Sequence, residues 1–213
     1  MHKSSYLRMQ YLLNYYKPYC MKGKDKISIL DIGSYDMNGT YRDLFQEWDG
    51  VKIDYKGCDM SEGPNVDIIL KDVYHWDTMK DHSFDLVISG QVFEHVEYPW
   101  MTIKEIERVL KPSGYCMIIA PNAGVEHKAP KDCYRYFSDG LRALAEWAGL
   151  FVHHVSVAGV PKADGMDDWV SDWNDACLVA QKRPFESSVI EDPFPFEWRT
   201  AMTGRSVNKR NRI

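Results

Sequence analysis

The stretch "ISILDIGSYDMNGTYRDLF" (27–45) decides the fold class of this 213-residue chain. An apolar run ends in Asp-Ile-Gly at Gly33, and a segment with helical character follows. Loops that bind nucleotide cofactors at the first strand of a parallel sheet begin in this way. This loop has fewer glycines than such loops usually carry, because Tyr35 and Met37 stand where glycines are expected. The stretch therefore predicts a cofactor loop of unusual composition.

Strand-like apolar runs alternate with helical patterns along the rest of the chain, which favours a mainly parallel sheet covered by helices on both faces. Seven runs are predicted to be strands: 27–32, 54–59, 66–70, 84–89, 115–120, 151–158 and 176–182. Helices are predicted near the N-terminus, after Pro99 and from Ser138. We expect an N-terminal helical extension (1–24), one α/β domain (25–183) and a C-terminal extension and tail (184–213).

Composition limits the classes of protein that fit. The net charge of −5 disfavours a general nucleic-acid binder, although residues 199–213 hold five basic side chains and no acidic one. No apolar run approaches the roughly 20 residues needed to span a bilayer. Five widely spaced cysteines without a CxxC pair indicate reduced thiols in a cytoplasmic protein. The N-terminal residues predict an amphipathic helix, with Leu7, Tyr11 and Tyr15 on its apolar face and Leu12 and Tyr16 beside them, and not a signal peptide.

Acidic residues at the ends of three neighbouring strands narrow the choice of ligand. Asp31 closes the first predicted strand, Asp59 closes the second, and Asp72 follows the third. These ends face one crevice in a parallel sheet. A carboxylate about 4 Å from a phosphate would cost on the order of 4 kcal/mol at an effective dielectric of 20. S-adenosylmethionine has an ammonium and a sulfonium and no phosphate, so it suits Asp31 better than a pyrophosphate does. Helix capping is the alternative role for Asp31 and Asp36.

Five segments, in order, resemble the class I S-adenosylmethionine-dependent methyltransferases. They are "LDIGSYDMNGTYRDLF", "YKGCDMS", "LKDVYHW", "FDLVISGQVFEHV" and "EIERVLKPSGYCMIIAPN". The resemblance runs from about residue 27 to 182 and implies a Rossmann-like, doubly wound seven-stranded sheet whose last strand is antiparallel. It also implies S-adenosyl-L-methionine as the cofactor. The family usually has three glycines in its first loop, and here Tyr35 and Met37 replace two of them. A non-catalytic cofactor-binding module is therefore an alternative.

The resemblance further implies which residues bind the cofactor. The first loop would hold the methionine end, the second strand end the ribose, the third the adenine edge, and the fourth would line the path of the methyl group. The residues expected in these roles are Asp31, Gly33, Ser34, Tyr35, Asp59, Met60, Asp72, Val73, Ser89, Gly90 and Gln91.

The segment 121–140 follows the fifth strand and is long for such a connection, as binding loops often are. It resembles the "HR-x-P-x-D-x-x-R" segment of family members linked to sugar and cell-envelope modification, with matches at His127, Asp132 and Arg135. We expect Asp132, Arg135 and Tyr136 to bind the acceptor. The alternative is that Asp132 and Arg135 pair to brace the loop.

Two histidines are candidate catalytic bases, because a hydroxyl acceptor must lose a proton and an imidazole titrates near neutral pH. One is His127, and the other is His95, which follows the fourth strand. The alternative for His95 is a structural role, with its ring bonded to Glu94 or to the backbone. Five aspartates between Asp164 and Asp175 offer oxygen ligands, but their spacing matches no calcium loop, and no metal is expected.

The sequence therefore predicts a cytoplasmic methyltransferase that acts on a small polar acceptor, with a hydroxyl of a saccharide or related metabolite as the first expectation. An RNA or protein methyltransferase is the alternative, supported by the basic tail. Trp169 and Trp173 are candidates to cover the acceptor pocket. No membrane partner is expected, nucleic acid is disfavoured, and the oligomeric state is not predicted.

Overall fold

The computed structural model describes residues 3–46, 48, 50–157 and 174–184. Seven strands form one sheet: β1 (Lys26–Ile32), β2 (Lys52–Asp59), β3 (Ile68–Ile69), β4 (Phe84–Gly90), β5 (Leu110–Ala120), β6 (Phe151–Val157) and β7 (Ala176–Gln181). The order across the sheet is β3-β2-β1-β4-β5-β7-β6. Strand β7 is antiparallel to both of its neighbours, and the other pairs are parallel. The predicted Rossmann-like α/β fold is confirmed.

Within the described residues, three α-helices cover the two faces: α1 (Lys3–Met21), α2 (Pro99–Val109) and α3 (Ser138–Ala148). Because successive strand residues point to opposite faces, the sheet carries two cores. Leu30 and Ile118 belong to the core that includes α2 and α3, whereas Ile29 and Met117 belong to the core that includes α1. Helix α3 ends at Gly149, which adopts the left-handed conformation with φ 93°.

The buried face of helix α1 is shifted from the predicted one: Leu12 and Tyr16, predicted at its side, are buried. Leu7, Tyr11 and Tyr15 are only half-buried. The apolar residues that reach the core are Met9, Leu12, Leu13, Tyr16 and Cys20. Apolar and aromatic residues occur nearly all round this helix, so its periodicity alone does not select the buried face. Packing against the sheet makes that selection.

The helix predicted after the first loop is reduced to a single 3-10 turn, Arg42–Phe45. Tyr41, Phe45 and Trp48 are buried there and fill this side of the sheet with aromatic rings in place of an amphipathic helix. Strand β3 is also shorter than the predicted 66–70. The edge of the sheet that is expected to bind the cofactor is thus built mainly from loops.

Some predictions fall outside the described residues. They are the acidic run from Asp164 to Asp172, Trp169, Trp173 and the extension from residue 185 onward. Within the part that is described, no helix has the length and apolar character to cross a bilayer. All five cysteines are described, and each is a free thiol.

Candidate cofactor and acceptor site

Gly33 turns the chain out of β1 with φ 70°. The amides of Gly33 and Ser34 both donate to the carbonyl of Cys58, at 2.8 and 3.0 Å. A Cβ on Gly33 would lie 2.2 Å from a methyl carbon of Val92. The glycine is therefore required by the turn and by the close packing of the loop after β4. Ser34 is buried, and its hydroxyl donates to the carbonyl of Asn65 at 3.0 Å.

Asp31 is buried at the end of β1 with 3% of its surface exposed. Its carboxylate accepts a hydrogen bond from the Tyr55 hydroxyl. The Arg42 guanidinium lies over the Tyr55 ring, 4.4 Å from its centroid. Burial raises the pKa of Asp31 to about 7, while Tyr55 and Arg42 oppose the rise. A cationic group brought to this carboxyl would favour its ionised form.

Asp59 ties the first loop to the end of β2. One carboxylate oxygen accepts from the Tyr35 amide at 3.3 Å, and the other accepts from the Ser61 amide at 3.0 Å. The Tyr35 ring lies over Gly63, where a Cβ would meet it at 2.1 Å. Each carboxylate oxygen has more than one acceptor position, so Asp59 retains capacity for ribose hydroxyls. Met60 beside it is 55% exposed.

Asp36 closes the first loop on itself, because its carboxylate accepts from the Gly39 amide at 2.6 Å. This bond agrees with a capping role for Asp36, although it caps a turn within the loop and not a helix. Met37 is 77% exposed beside it. Neither side chain is drawn into the core.

The loop after β3 keeps the candidate adenine-edge residues near the surface. Asp72 is exposed, and its carboxylate accepts from the Tyr74 amide at 2.7 Å. The Val73 carbonyl accepts from the Trp76 indole at 3.0 Å. Trp76 is fully buried, so this bond fixes the position of Val73.

The end of β4 is shaped by buried contacts. The Ser89 hydroxyl is fully buried and has no hydrogen-bond partner among the residues that the structure describes. A Cβ on Gly90 would lie 1.9 Å from the hydroxyl of Tyr41. Gln91 has φ 61°, and its side-chain amide donates to Asp175 at 3.0 Å. Only a glycine fits at position 90, because Tyr41 fills the space.

Helix α1 contributes residues that sequence reasoning missed at this end of the sheet. Asp175 is fully buried and lies 3.7 Å from Nε of Arg8, which is 2% exposed. Asp175 also accepts from Ser4 at 3.1 Å, and through Gln91 it joins α1 to the end of β4. The sequence did not mark Arg8 as buried, because the periodicity of α1 does not select its buried face. A buried arginine needs a paired acid, and Asp175 supplies it.

The loop between β5 and α3 is braced by an ion pair. Arg135 binds both oxygens of Asp132, at 2.6 and 2.8 Å. Asp132 also accepts from the His127 amide at 2.7 Å. The Arg135 guanidinium holds the pKa of Asp132 well below its usual range. The bracing alternative is therefore present, and it fixes the backbone of His127.

Tyr136 was expected to touch the acceptor, but it is buried. Its hydroxyl donates to the Phe93 carbonyl at 3.1 Å, and its amide donates to the Pro121 carbonyl at 2.8 Å. Burial raises the pKa of this phenol. Tyr136 anchors the loop to the end of β5, so its contribution to an acceptor site is indirect.

The braced loop brings His127 to His95. Their ring centroids are 4.9 Å apart, and Nε2 of His95 lies 3.6 Å from the Glu94 carboxylate. Glu94 is completely buried, and burial raises its pKa to about 8. Burial also lowers the pKa of His95. Both candidate bases thus meet beyond β4 and β5. Glu94 lies with them, although the sequence predicted it only as a possible partner of His95.

Comparison with known proteins gives one family match and many similar folds. Residues 41–118 match a family described as "Methyltransferase domain". The matched range runs from the 3-10 turn into β5 and leaves out the first loop. No curated protein sequence matches the chain.

Three solved structures illustrate the likeness of fold. A SAM-dependent methyltransferase from Archaeoglobus fulgidus has a TM-score of 0.55 at 19% identity, over 84% of this chain and 95% of its own. The CurJ carbon methyltransferase has a TM-score of 0.57 at 14% identity, over 76% and 51%. Phosphoethanolamine N-methyltransferase 2 from Haemonchus contortus, in complex with S-adenosyl-L-methionine, has 0.57 at 16%, over 83% and 52%.

At these low identities the solved structures support only the fold. The assignment of activity rests on the family match. The matched segment contains the ends of β2, β3 and β4, which carry most of the candidate cofactor residues. The family match supports an S-adenosylmethionine-dependent methyltransferase, with S-adenosyl-L-methionine as its cofactor.

Proposed function

We propose that this enzyme transfers the methyl group to a hydroxyl of a saccharide or a related small polar metabolite. The observation that carries the proposal is the meeting of His127, His95 and Glu94 beyond β4 and β5. A hydroxyl must lose its proton as it attacks the methyl carbon, whereas an amine can attack without a base. Histidines at this position suit an acceptor that needs such help.

For the cofactor, we assign the crevice along the ends of β1, β2, β3 and β4. Asp31 would face the cationic methionine end, with Gly33, Ser34 and Tyr35 forming the adjoining loop. Asp59 would accept from the ribose hydroxyls. The remaining assignments are Met60, Asp72 and Val73 for the adenine and Ser89, Gly90 and Gln91 for the path of the methyl group.

On the acceptor side, the solvent exposure of the side chains indicates different roles for His127 and Asp132 in the loop between β5 and α3. The His127 side chain is 33% exposed, whereas that of Asp132 is 2% exposed. His127 can therefore meet an acceptor directly. Asp132 and Arg135 would act mainly by holding His127 in place. The polar character of this loop favours a polar acceptor over a lipid.

The activity test uses the purified chain with S-adenosylmethionine and a panel of monosaccharides, nucleotide sugars and RNA. Mass spectrometry measures S-adenosylhomocysteine and the methylated product. We expect methylation of a saccharide hydroxyl. His127→Ala should slow turnover by about 10²-fold or more, with unchanged calorimetric affinity for S-adenosylhomocysteine.

Glu126→Ala is the matched control, because Glu126 is the exposed neighbour of His127 and its carboxylate pairs only loosely with Lys128 at 3.5 Å. It should leave turnover unchanged. Methyl transfer to RNA and to none of the saccharides would overturn the proposal. Equal loss of turnover and cofactor affinity in His127→Ala would assign His127 a structural role.

A further inference from the structure

Three potential metal ligands converge on the acceptor side of the sheet. One ligand atom each from Glu94, His95 and His127 lies within 4.8 Å of the others. The separation between Nε2 of His95 and the Glu94 carboxylate is 3.6 Å. Two ligands of a tetrahedral zinc ion, each about 2.1 Å from the metal, stand roughly 3.4 Å apart. The His95–Glu94 pair therefore already has nearly the spacing of two zinc ligands, and the remaining separations in the cluster are at most 4.8 Å.

The second nitrogen of each imidazole faces an acceptor. Nδ1 of His95 lies against the Lys131 carbonyl. Nδ1 of His127 lies 3.4 Å from the Asp132 carboxylate, which Arg135 holds in place. Metal-binding histidines almost always donate their other N–H to a carbonyl or carboxylate. The contact of His95 with the Lys131 carbonyl favours the tautomer whose lone pair is on Nε2, the nitrogen that faces Glu94.

Glu94 supplies an independent observation. It is completely buried, and neither of its carboxylate oxygens has a hydrogen-bond partner within the described ranges. An isolated carboxylate is costly to bury unless a cation or a proton neutralises it. Its backbone carbonyl accepts from the amides of Cys133 and Tyr134, at 2.6 and 3.2 Å, so the glutamate is fixed against the same loop that presents His127.

We infer that Glu94, His95 and His127 form a site for one divalent transition-metal ion. Two imidazoles and one carboxylate are the ligand set of several catalytic zinc and iron sites, and zinc is the ion that we expect to bind. Magnesium prefers an all-oxygen shell and is not expected. Three protein ligands leave a coordination position open for water or for an acceptor.

This inference deepens the proposed function. Metal binding itself does not depend on that function, but the role of the ion in deprotonating a hydroxyl acceptor does. A hydroxyl bound at the open position would lose its proton to solvent more readily, because the ion stabilises the alkoxide. The alkoxide oxygen would then form a bond to the methyl carbon as the carbon–sulfur bond breaks, releasing S-adenosylhomocysteine. In the loaded enzyme the histidines are ligands, and the ion takes over their proposed role in deprotonation.

The test measures metal binding without cofactor or acceptor. Tag-free protein is stripped with a chelator and titrated with Co²⁺, whose visible absorption reports a site of low coordination number. We expect one equivalent to bind and to be displaced by Zn²⁺ but not by Mg²⁺. Glu94→Gln and His127→Ala should each weaken binding at least tenfold. His75→Ala, which removes an exposed histidine outside the cluster, should bind like the wild type.

Asp132→Asn should weaken Co²⁺ binding about tenfold or more, as loss of an outer-shell partner of a ligating histidine does. Calorimetric affinity for S-adenosylhomocysteine checks the fold of every variant, and His127→Ala keeps the test valid if the buried Glu94 variant fails to fold. The site is overturned if the wild type binds no Co²⁺ saturably or binds no better than His127→Ala. Saturable binding without saccharide methylation would support the metal site and overturn only the proposed acceptor.

Discussion

Asp31 is buried at the place where the positively charged methionine end of the cofactor is proposed to bind. Its folded pKa of about 7 lies above the ordinary value of 3.8. A raised carboxyl pKa stabilises the folded protein below pH 3.8, and that stabilisation is lost as the pH rises through 7. Near neutral pH the free enzyme thus holds Asp31 partly protonated. A bound cation would reverse this preference and expel the proton.

Cofactor binding is accordingly predicted to release protons below pH 7. At pH 6 up to about one proton should leave per S-adenosylmethionine bound, and at pH 8 almost none, because Asp31 is already ionised there. Calorimetry in two buffers of different ionisation enthalpy measures the number. Asp31→Asn should abolish the release while keeping an acceptor for Tyr55. The same binding enthalpy in both buffers at pH 6 would remove Asp31 from the cofactor site.

A second prediction at the residue scale concerns the ribose. Asp59→Ala should weaken S-adenosylhomocysteine binding by about 1.5–3 kcal/mol, because charge-assisted hydrogen bonds are lost. Asp54→Ala is the control on the same strand, since Asp54 pairs with Lys26 at 2.8 Å on the exposed surface. Calorimetric titration compares the variants. An unchanged affinity in Asp59→Ala would show that the ribose binds elsewhere.

At the scale of the element, α1 is joined to the site through a buried ion pair. Arg8 and Asp175 are both almost inaccessible. Removing one partner of such a pair leaves an uncompensated charge and typically costs about 3–5 kcal/mol. The structure therefore makes α1 a support of the loop after β4, because Asp175 also accepts from Gln91.

Arg8→Met should lower the free energy of unfolding by about 3–5 kcal/mol, measured by urea denaturation. Lys26→Met removes one partner of the exposed Asp54 pair and should cost less than about 1 kcal/mol. The double variant Arg8→Met with Asp175→Asn should recover part of the loss, because no buried charge remains unpaired. Equal costs for the buried and the exposed pair would contradict the assignment.

The sequence predicted best those strands whose runs of apolar residues indicate burial on both faces. Strands β1, β4 and β7 and the second half of β5 (115–120) are rich in apolar residues and mostly buried, as strands covered on both faces must be. The buried face of α1 and the missing helix after β1 were not predictable in this way. In both places aromatic side chains are buried, Tyr16 in α1 and Tyr41, Phe45 and Trp48 after the first loop, and their arrangement depends on tertiary packing.

The site shows the same division. Acids at strand ends were readable from the sequence because strand ends in a parallel sheet share one edge. The meeting of His95 with His127 required knowledge of how the β5–α3 loop folds back. That path is set by the Asp132–Arg135 pair and by Tyr136, whose partners lie at Phe93 and Pro121. The spacing of residues in the sequence does not predict that this loop folds back towards His95.

At the scale of the whole molecule, the sheet has two cores of unequal construction. One face is covered by α2 and α3, and the other is covered largely by α1 and the aromatic residues after the first loop. The sequence predicted residues 1–24 as an extension of the domain. Helix α1 packs on β4 and β5 of this face, and its buried side chains share one core with Ile88 and Met117.

Deleting residues 1–21 should therefore abolish cooperative unfolding. The five apolar side chains that α1 buries contribute roughly 1.5–3 kcal/mol each, and their sum is comparable to the whole stability of a domain, about 5–15 kcal/mol. Near-ultraviolet circular dichroism followed through a urea titration measures the transition. Deleting residues 199–213 is the control, since the sequence predicts a solvated tail there, and its midpoint should match that of the full chain. A fragment 22–213 with an unchanged midpoint would show that α1 is dispensable and that the β-sheet is stabilised by the α2–α3 face alone.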